Sequence, residues 1–352
     1  MASSPLPAGD QASTQYSRLL KLRWLLMAVF VAVILLSLVA DFMLGPSGLS
    51  WPELMRTLFS PDQAEPTTSV IVWDVRLPYA VMAVVVGLGL GLAGAEMQTI
   101  LANPLASPFT LGISSAAAFG ASLALVLDLS LPWLPADWAV AGNAFVFAIL
   151  SALLLDVLAR WGGMSGSGMV LVGIALVFTF NALVSLMQFI ASAEDLQNLV
   201  FWTMGSLSRA TWPKVGGMLL AFAVILPLCL KDAWKLTALR LGEDRAISFG
   251  IDVKRQRLVS LLRISFLAAL AVSMVGTISF IGLIAPHIAR RLFGEDHRFY
   301  LPGSALIGAM ILSLASIASK NIVEGVIVPV GIVTSLVGVP FFVSVVMRRR
   351  AG

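Results

Sequence analysis

The chain has 352 residues, of which 59% are hydrophobic and only 12% charged, with a mean hydropathy of +0.94. Soluble domains carry roughly a quarter of their residues as charges, so a soluble globular enzyme is excluded and an all-α polytopic membrane protein is expected. The net charge of +4 does not signal nucleic-acid binding, because the basic residues sit in short connections beside apolar runs, where membrane topology accounts for them.

Residues 1–17 are small and polar and are expected to form an unfolded tail. Arg18, Lys21 and Arg23 then precede an apolar run at 24–44. That run is too long for a signal peptide and lacks a small-residue cleavage pattern before Asp41. It reads as an uncleaved first span, so residues 1–23 become a cytoplasmic tail and residues 24–348 a single transmembrane domain. About 20 helical residues cross about 30 Å of hydrocarbon. On that ruler the spans are 24–44, 77–97, 111–128, 138–159, 168–191, 212–230, 258–277, 280–294, 301–320 and 327–347. The pair within 258–294 is cramped, since GTISFIG at 276–282 leaves little room for a turn, and whether it makes two full crossings stays open. Parity requires an even number of crossings there if Lys254, Arg255 and Arg257 share a side with Arg290, Arg291 and Arg298.

With both ends inside, 18 of the 23 Lys and Arg fall on the inner side and 5 on the outer, the bias expected of a cytoplasmic face. All nine Trp lie in loops or at span ends, as interfacial residues do. The outer loops 45–76 and 192–211 carry Pro, Trp and acidic residues and are expected to form short surface helices. Ten spans divide five plus five, and repetition of an odd number of crossings gives an inverted pseudo-repeat, a common transporter plan.

One long charged segment interrupts this pattern. Residues 231–257 hold 11 of the 42 charged residues and are flanked by apolar runs, so they must lie in water, within reach of a soluble partner. The single cysteine, Cys229, lies within an apolar run and offers no disulfide framework inside the chain. Gly89-Leu-Gly91-Leu-Ala-Gly94 matches a dinucleotide fingerprint by letter only, with no strand before it. Gly87, Gly91 and Gly94 instead make a smooth helix face for close packing. No G-x-x-x-x-G-K-[ST] occurs, so ATP, with its Mg, must be bound by another chain if ATP drives this one. His287 and His297 are expected at a helix end and in a loop, and no metal site is expected. The predicted spans lack a charge near their middle, which argues against an ion-coupled transporter. The neutral polar residues Asn181, Ser185 and Gln188 on the fifth span, and Thr334 and Ser335 on the tenth, either wet a pathway or hydrogen-bond between helices.

Several stretches in one order over 76–348 resemble the permease subunit of the ABC importers for iron-siderophores, haem and cobalamin. They are Arg76-Leu-Pro78; Ala93-Gly94…Gln98…Asn103-Pro104-Leu105-Ala106…Pro108…Leu111-Gly112; Trp202…Gly205-Ser206-Leu207…Trp212; and Leu241-Gly242…Ala246…Gly250. There follow Gly276…Phe280-Ile281-Gly282-Leu283-Ile284…Pro286-His287…Arg290, Gly294-Glu295-Asp296-His297-Arg298, and Pro329-Val330-Gly331…Gly338…Pro340-Phe341-Phe342.

The resemblance implies a type II ABC importer permease, a transport subunit without an ATPase site, multi-pass in the bacterial inner membrane with both termini cytoplasmic. It implies two ATPase subunits, a second permease copy or paralogue, and a periplasmic or lipid-anchored binding protein as partners. The expected cargo is a chelated metal compound, a ferric siderophore ahead of haem or cobalamin. Leu241, Gly242, Ala246 and Gly250 then fall at the ATPase contact, where the glycines either let a short helix move as a unit or merely cap it. Arg76 and Lys320 fall at the binding-protein contact. Tyr79 replaces the second Arg of an R-L-P-R motif, Ser316 stands where an Asp is common, and Ile327 where a Glu is. Weaker or reshaped docking is expected from these departures.

Overall fold

A long apolar run satisfies all its peptide groups within itself, away from water, only by becoming a helix, and helices dominate this chain. The computed structural model describes residues 8–45, 48–132, 134–135, 138–164 and 166–350. In chain order the helices are α1 (Ala8–Met43), α2 (Trp51–Phe59), α3 (Pro66–Val70), α4 (Leu77–Ile100), α5 (Ile113–Leu127), α6 (Ala139–Trp161), α7 (Gly166–Ile190) and α8 (Ala193–Thr203). They continue as α9 (Trp212–Lys231), α10 (Ala233–Leu239), α11 (Glu243–Ser248), α12 (Val253–Val275), α13 (Ile281–Phe293), α14 (His297–Asn321) and α15 (Val330–Arg350). Each of the ten predicted spans is a helix, and among the described residues 7 helices are long and apolar enough by themselves to cross a membrane. The expected surface helices are α2, α3 and α8. A π-helical stretch, Ile71–Arg76, carries the chain from α3 into α4 without a break.

One boundary departs from expectation and one open question is answered. Helix α1 begins at Ala8, so most of the expected tail is helical, and Arg23 lies 3.8 Å from Asp296 and over the Phe299 ring. Residues 1–7 lie outside the described residues. Helix α13 has 13 residues, about 20 Å at the helical rise, which is short of the hydrocarbon thickness. The stretch 258–294 is therefore one full span and one shorter helix. The link between them is irregular backbone held inside the protein: Ser206 N–H donates to Val275 O where the link begins, and Thr277 Oγ1 donates to Thr203 O.

Helix α4 is the centre of the bundle, buried on nearly every side. Its glycines explain how. A Cβ on Gly87 would come 2.5 Å from Gly308 O, on Gly91 2.3 Å from Ser304 O, and on Gly94 1.9 Å from Gly282 O. The face read from the sequence is thus where α14 and α13 press backbone to backbone against α4, while Gly89 points the other way, toward Met218. Because backbone cannot step aside as a flexible side chain can, Gly94→Ala is expected to destabilise the protein by about 1–3 kcal/mol, the usual range for overpacking. Gly216→Ala on α9, where a Cβ meets nothing within 4 Å, is expected to be neutral. Thermal unfolding of the two purified variants checks the pair.

The packing scheme repeats after five spans. Helix α4 packs on α14 as α12 packs on α6, α5 on α6 as α13 on α14, and α4 on α13 as α12 on α5, with α4 and α12 meeting each other between the halves. This is the five-plus-five division written in contacts.

Candidate functional site

The connection between α9 and α12 folds into the short helices α10 and α11, an elbow that turns at two glycines. Gly242 has φ 107° and Gly250 φ 79°, and a Cβ on either would meet nothing within 4 Å. Glycine is needed there for its left-handed backbone, not for space. The Gly242 carbonyl accepts the Ala246 N–H at the start of α11, and the Gly250 N–H donates to Ile247 O at its end. Ala246 is fully buried beneath them. Leu241, Ile247 and Phe249 are 53%, 59% and 58% exposed, beside the exposed Glu243, Asp244 and Arg245. Of the four expected coupling residues, Leu241, Gly242 and Gly250 therefore lie on the exposed rim and Ala246 seats α11 from below. Exposed apolar side chains grouped in this way are of the kind that mark protein or membrane contacts.

Polar ties anchor the elbow to the bundle. Arg263 on α12 reaches Glu96 on α4 (Nη2 to Oε1, 2.7 Å), Asp232 before α10 (3.0 Å) and the Leu228 carbonyl (2.7 Å). Glu96, 1% exposed, also accepts from Ser260 Oγ at 2.6 Å and Cys229 Sγ at 3.1 Å. Burial works to raise the Asp232 carboxyl, but Lys235 and Arg263 outweigh it and hold it below the ordinary aspartate value. A second tie runs through His297, whose Nε2 lies 2.7 Å from Thr99 Oγ1 on α4 and whose Nδ1 lies 3.1 Å from Thr237 Oγ1 on α10. A third is the two-pronged Arg240–Glu295 pair (2.8 and 2.9 Å), joined by Arg290 at 3.3 Å. Burial opposes the Glu295 charge, yet these arginines keep its carboxyl below the usual glutamate value. Arg257 completes the set, donating to Ile100 O at the end of α4 at 3.1 Å and pairing with Glu243 on α11.

Sequence reasoning does not find this cluster. Glu96 and Arg263 lie toward the ends of the predicted spans 77–97 and 258–277, yet two opposite charges in apolar runs must find partners, a signal the sequence does carry. The histidines also depart from expectation. His297 is fully buried as the first residue of α14 rather than a loop residue, and His287 lies within α13, its ring 5.9 Å from that of Phe341.

The opposite end of the bundle corrects the expectation for Arg76 and Lys320. Neither presents its charge to solvent: they are 6% and 9% exposed. Arg76 donates to the carbonyls of Phe42 and Met43 at 3.2 and 3.1 Å and of Gly45 at 3.4 Å, a cation at the C-terminal end of α1, where the helix dipole favours it. Lys320 lies 3.1 Å from Asp41 Oδ1, donates to Asp41 O at 2.8 Å, and sits 4.4 Å from the Tyr79 ring centroid. Ser316 Oγ is 2.9 Å from both Asp41 carboxylate oxygens, and Tyr79 Oη meets Ser319 Oγ at 3.2 Å. The departures Tyr79 and Ser316 are thereby accounted for: the ring takes a place beside the ammonium, and the carboxylate comes from α1. Ile327 packs half-buried against the core.

The neutral polar residues split. Asn181 and Ser185 are exposed on α7, with Gln188 half-buried on the same stripe. Thr334 and Ser335 both donate to Gly331 O within α15. Helix α7 packs on α5 and α6, and α15 on α13 and α14, so one chain does not bring the two sets together.

Apolar helices packed around one buried helix, which a charged elbow grips through buried ion pairs, define a polytopic membrane protein of the transport kind. The chain belongs to the FecCD transport family, whose sequence profile matches residues 29–348. It is 38% identical over 283 residues to the hemin transport system permease protein HmuU of Yersinia pestis, covering 79% of this chain and 84% of that one. It is also 38% identical over 278 residues to the vitamin B12 import system permease protein BtuC of Vibrio vulnificus, covering 79% and 82%. A solved structure of a metal-chelate type ABC transporter in an inward-facing conformation matches with a TM-score of 0.80 at 29% identity, over 92% of this chain and 99% of that one. The fold is that of a type II ABC importer permease, and the chain is a transport subunit.

Proposed function

We propose that this permease is the membrane half of an ATP-driven importer that carries a chelated metal compound across the cytoplasmic membrane, with a ferric siderophore ahead of haem or cobalamin. Support for the cargo class comes from family membership and from relatives named for hemin and vitamin B12 transport. Two ATPase subunits, holding ATP and Mg, would press on the elbow from the cytoplasm, where both termini also lie. A second permease copy or paralogue would face the α7 stripe of Asn181, Ser185 and Gln188, and a separate binding protein would deliver the chelate at the end of the bundle where α1 finishes. No bond is made or broken in this chain.

The observation that carries this reading is the elbow itself: an apolar rim of Leu241, Ile247 and Phe249, set on a buried Ala246 and tied through Arg263 and His297 to the central helix α4. Pressure on the rim reaches α4 through ion pairs and packed side chains without melting a span, as rigid-element transitions require. A partner shifts the two access states only if it binds them unequally, and closure of the ATPase pair supplies that inequality.

The test uses vesicles holding the permease with its ATPase and binding protein. The double variant Ile247→Asp/Phe249→Asp is expected to lower ATP-dependent uptake about tenfold or more, while its unfolding midpoint barely moves, since exposed substitutions usually stay within about 0.5 kcal/mol. Uptake by the permease alone on an ion gradient would overturn the proposal in favour of a secondary transporter.

A further inference from the structure

A cavity of about 280 Å³ opens at the end of the bundle away from the elbow, between α8, α6, the start of α9 and the end of α12. Its polar lining is Arg209, Lys214, Asn198 and Ser273, and its apolar lining includes Phe201, Trp202 and Met274. Arg209 sits in the 3-10 turn Leu207–Arg209, its guanidinium carbon 6.0 Å from the Trp202 ring centroid. Its Nη1 is shielded from solvent and has no hydrogen-bond partner. Among the described residues no carboxylate lies within ion-pair distance of Arg209, and none lines the cavity. Lys214 Nζ donates to the Arg209 carbonyl at 3.1 Å, which brings a second positive charge to the same wall.

An arginine stays charged under all ordinary conditions, and a largely buried charge without a counter-ion is costly. The other buried cations described above have acceptors: Arg263 has Glu96 and Asp232, Lys320 has Asp41, Arg240 has Glu295, and Arg76 has the carbonyls at the end of α1. Nη1 of Arg209 has none, and the cavity lies beside it. The cavity also has room, since at about 30 Å³ per water its volume corresponds to roughly nine waters, below the range of pockets for drug-sized molecules.

We infer that this cavity binds a small carboxylate with an apolar body, the carboxylate on the Arg209 fork beside Lys214 and the body between Phe201, Trp202 and Met274. With Nη1 shielded from solvent, a carboxylate meets the guanidinium edge that lines the cavity, through charge-assisted hydrogen bonds. The Asn198 amide offers a further donor at the rim, and the aromatic wall favours a flat apolar body over a fully hydrated anion such as inorganic phosphate. The ligand would bridge α8 to α6, α9 and α12, fastening the surface helix to the bundle. The inference does not depend on what the permease transports.

Benzoate is a suitable probe and benzamide its neutral isostere. Both are titrated against the full-length permease in phosphatidylcholine nanodiscs, reading tryptophan fluorescence and the unfolding midpoint. Benzoate is expected to quench saturably and to raise the midpoint, as any ligand of the native state does, with benzamide about tenfold weaker or more, the scale of one charge-assisted pair. Arg209→Gln is expected to erase the difference between the two probes, and Arg209→Lys to retain part of it. Equal responses to benzoate and benzamide, or an unchanged benzoate titration in Arg209→Gln, would overturn the assignment. Should Arg209→Gln fail to fold, the comparison of probes on the unaltered protein and on Arg209→Lys still decides. A parallel titration in phosphatidylglycerol nanodiscs separates the sources of negative charge. Benzoate binding undiminished there supports a small carboxylate, whereas binding lost there, with phosphatidylglycerol itself raising the unfolding midpoint of the unaltered protein and not of Arg209→Gln, assigns the cavity to an anionic lipid headgroup instead.

Discussion

Arg263→Met is expected to destabilise the permease by roughly 3–5 kcal/mol, the range for stripping one partner from a buried ion pair. Methionine keeps most of the length and apolar bulk of the arginine stem, so packing is largely conserved and the loss is electrostatic. What remains is Glu96, 1% exposed on the central helix, deprived of its 2.7 Å partner. Ser260 and Cys229 still reach its oxygens, but neutral donors do not offset a buried charge. The double variant Arg263→Met/Glu96→Gln is expected to recover a large part of the loss, because a neutral amide keeps hydrogen-bonding capacity without the charge. Function should not recover with it. Asp232, at the start of the elbow, loses its tie to α12 in both variants, so uptake is expected to stay low even where the unfolding midpoint returns. Unfolding midpoints and vesicle uptake on the three proteins separate these outcomes. A single variant as stable as the parent would mean that Glu96 is not held by Arg263, and recovery of uptake in the double variant would remove the elbow tie from the transport mechanism.

How much was legible in the sequence follows from the range of each signal. The spans were readable because some 20 consecutive apolar residues constitute a local pattern, and the elbow because 11 charges stand together in apolar surroundings. The glycine face of α4 was also local: Gly87, Gly91 and Gly94 recur at helical spacing, and their contacts with α14 and α13 are those such a face permits. Pairings across the fold were not readable. Arg263 and Glu96 are 167 residues apart, and Lys320 and the Asp41 carbonyl 279. Each charge alone looks like a span-end residue, and only the packing of α4 on α12 and of α1 on α14 makes them partners. The same blindness turned Arg76 and Lys320 into surface charges, since a motif gives residue types but not the direction a side chain takes. Helix α13 was legible as the run 280–294, but whether it makes a full crossing was not, for another reason: hydropathy measures how apolar a run is, and irregular backbone at 276–280 is just as apolar when it is buried in protein.

The second large effect lies at the far end of the bundle. Lys320→Met is expected to destabilise by roughly 3–5 kcal/mol, since it leaves Asp41, 0% exposed, with a carboxylate and no cation. Two further consequences set this site apart from the Glu96 pair. The Lys320 ammonium also donates to the Asp41 carbonyl at the end of α1, so its removal loosens the helix end, leaving Arg76 alone to satisfy the carbonyls there. It also sits over the Tyr79 ring at 4.4 Å, a contact worth about 0.5–2 kcal/mol in proteins. Asp41→Asn/Lys320→Met is therefore expected to recover the charge penalty and not the rest, ending about 1–2 kcal/mol below the parent, one lost carbonyl bond and one lost ring contact. Lys320→Arg keeps the charge but asks a planar fork to fit where a compact ammonium reaches a carboxylate, a carbonyl and a ring together, so a smaller loss is expected there. If Lys320→Met is as stable as the parent while binding-protein association falls, the cation faces outward in the working transporter and the buried pair belongs to one access state only. If stability falls and association in the double variant is unchanged, Lys320 holds α1 to α14 and the docking surface must be built from other residues at that end.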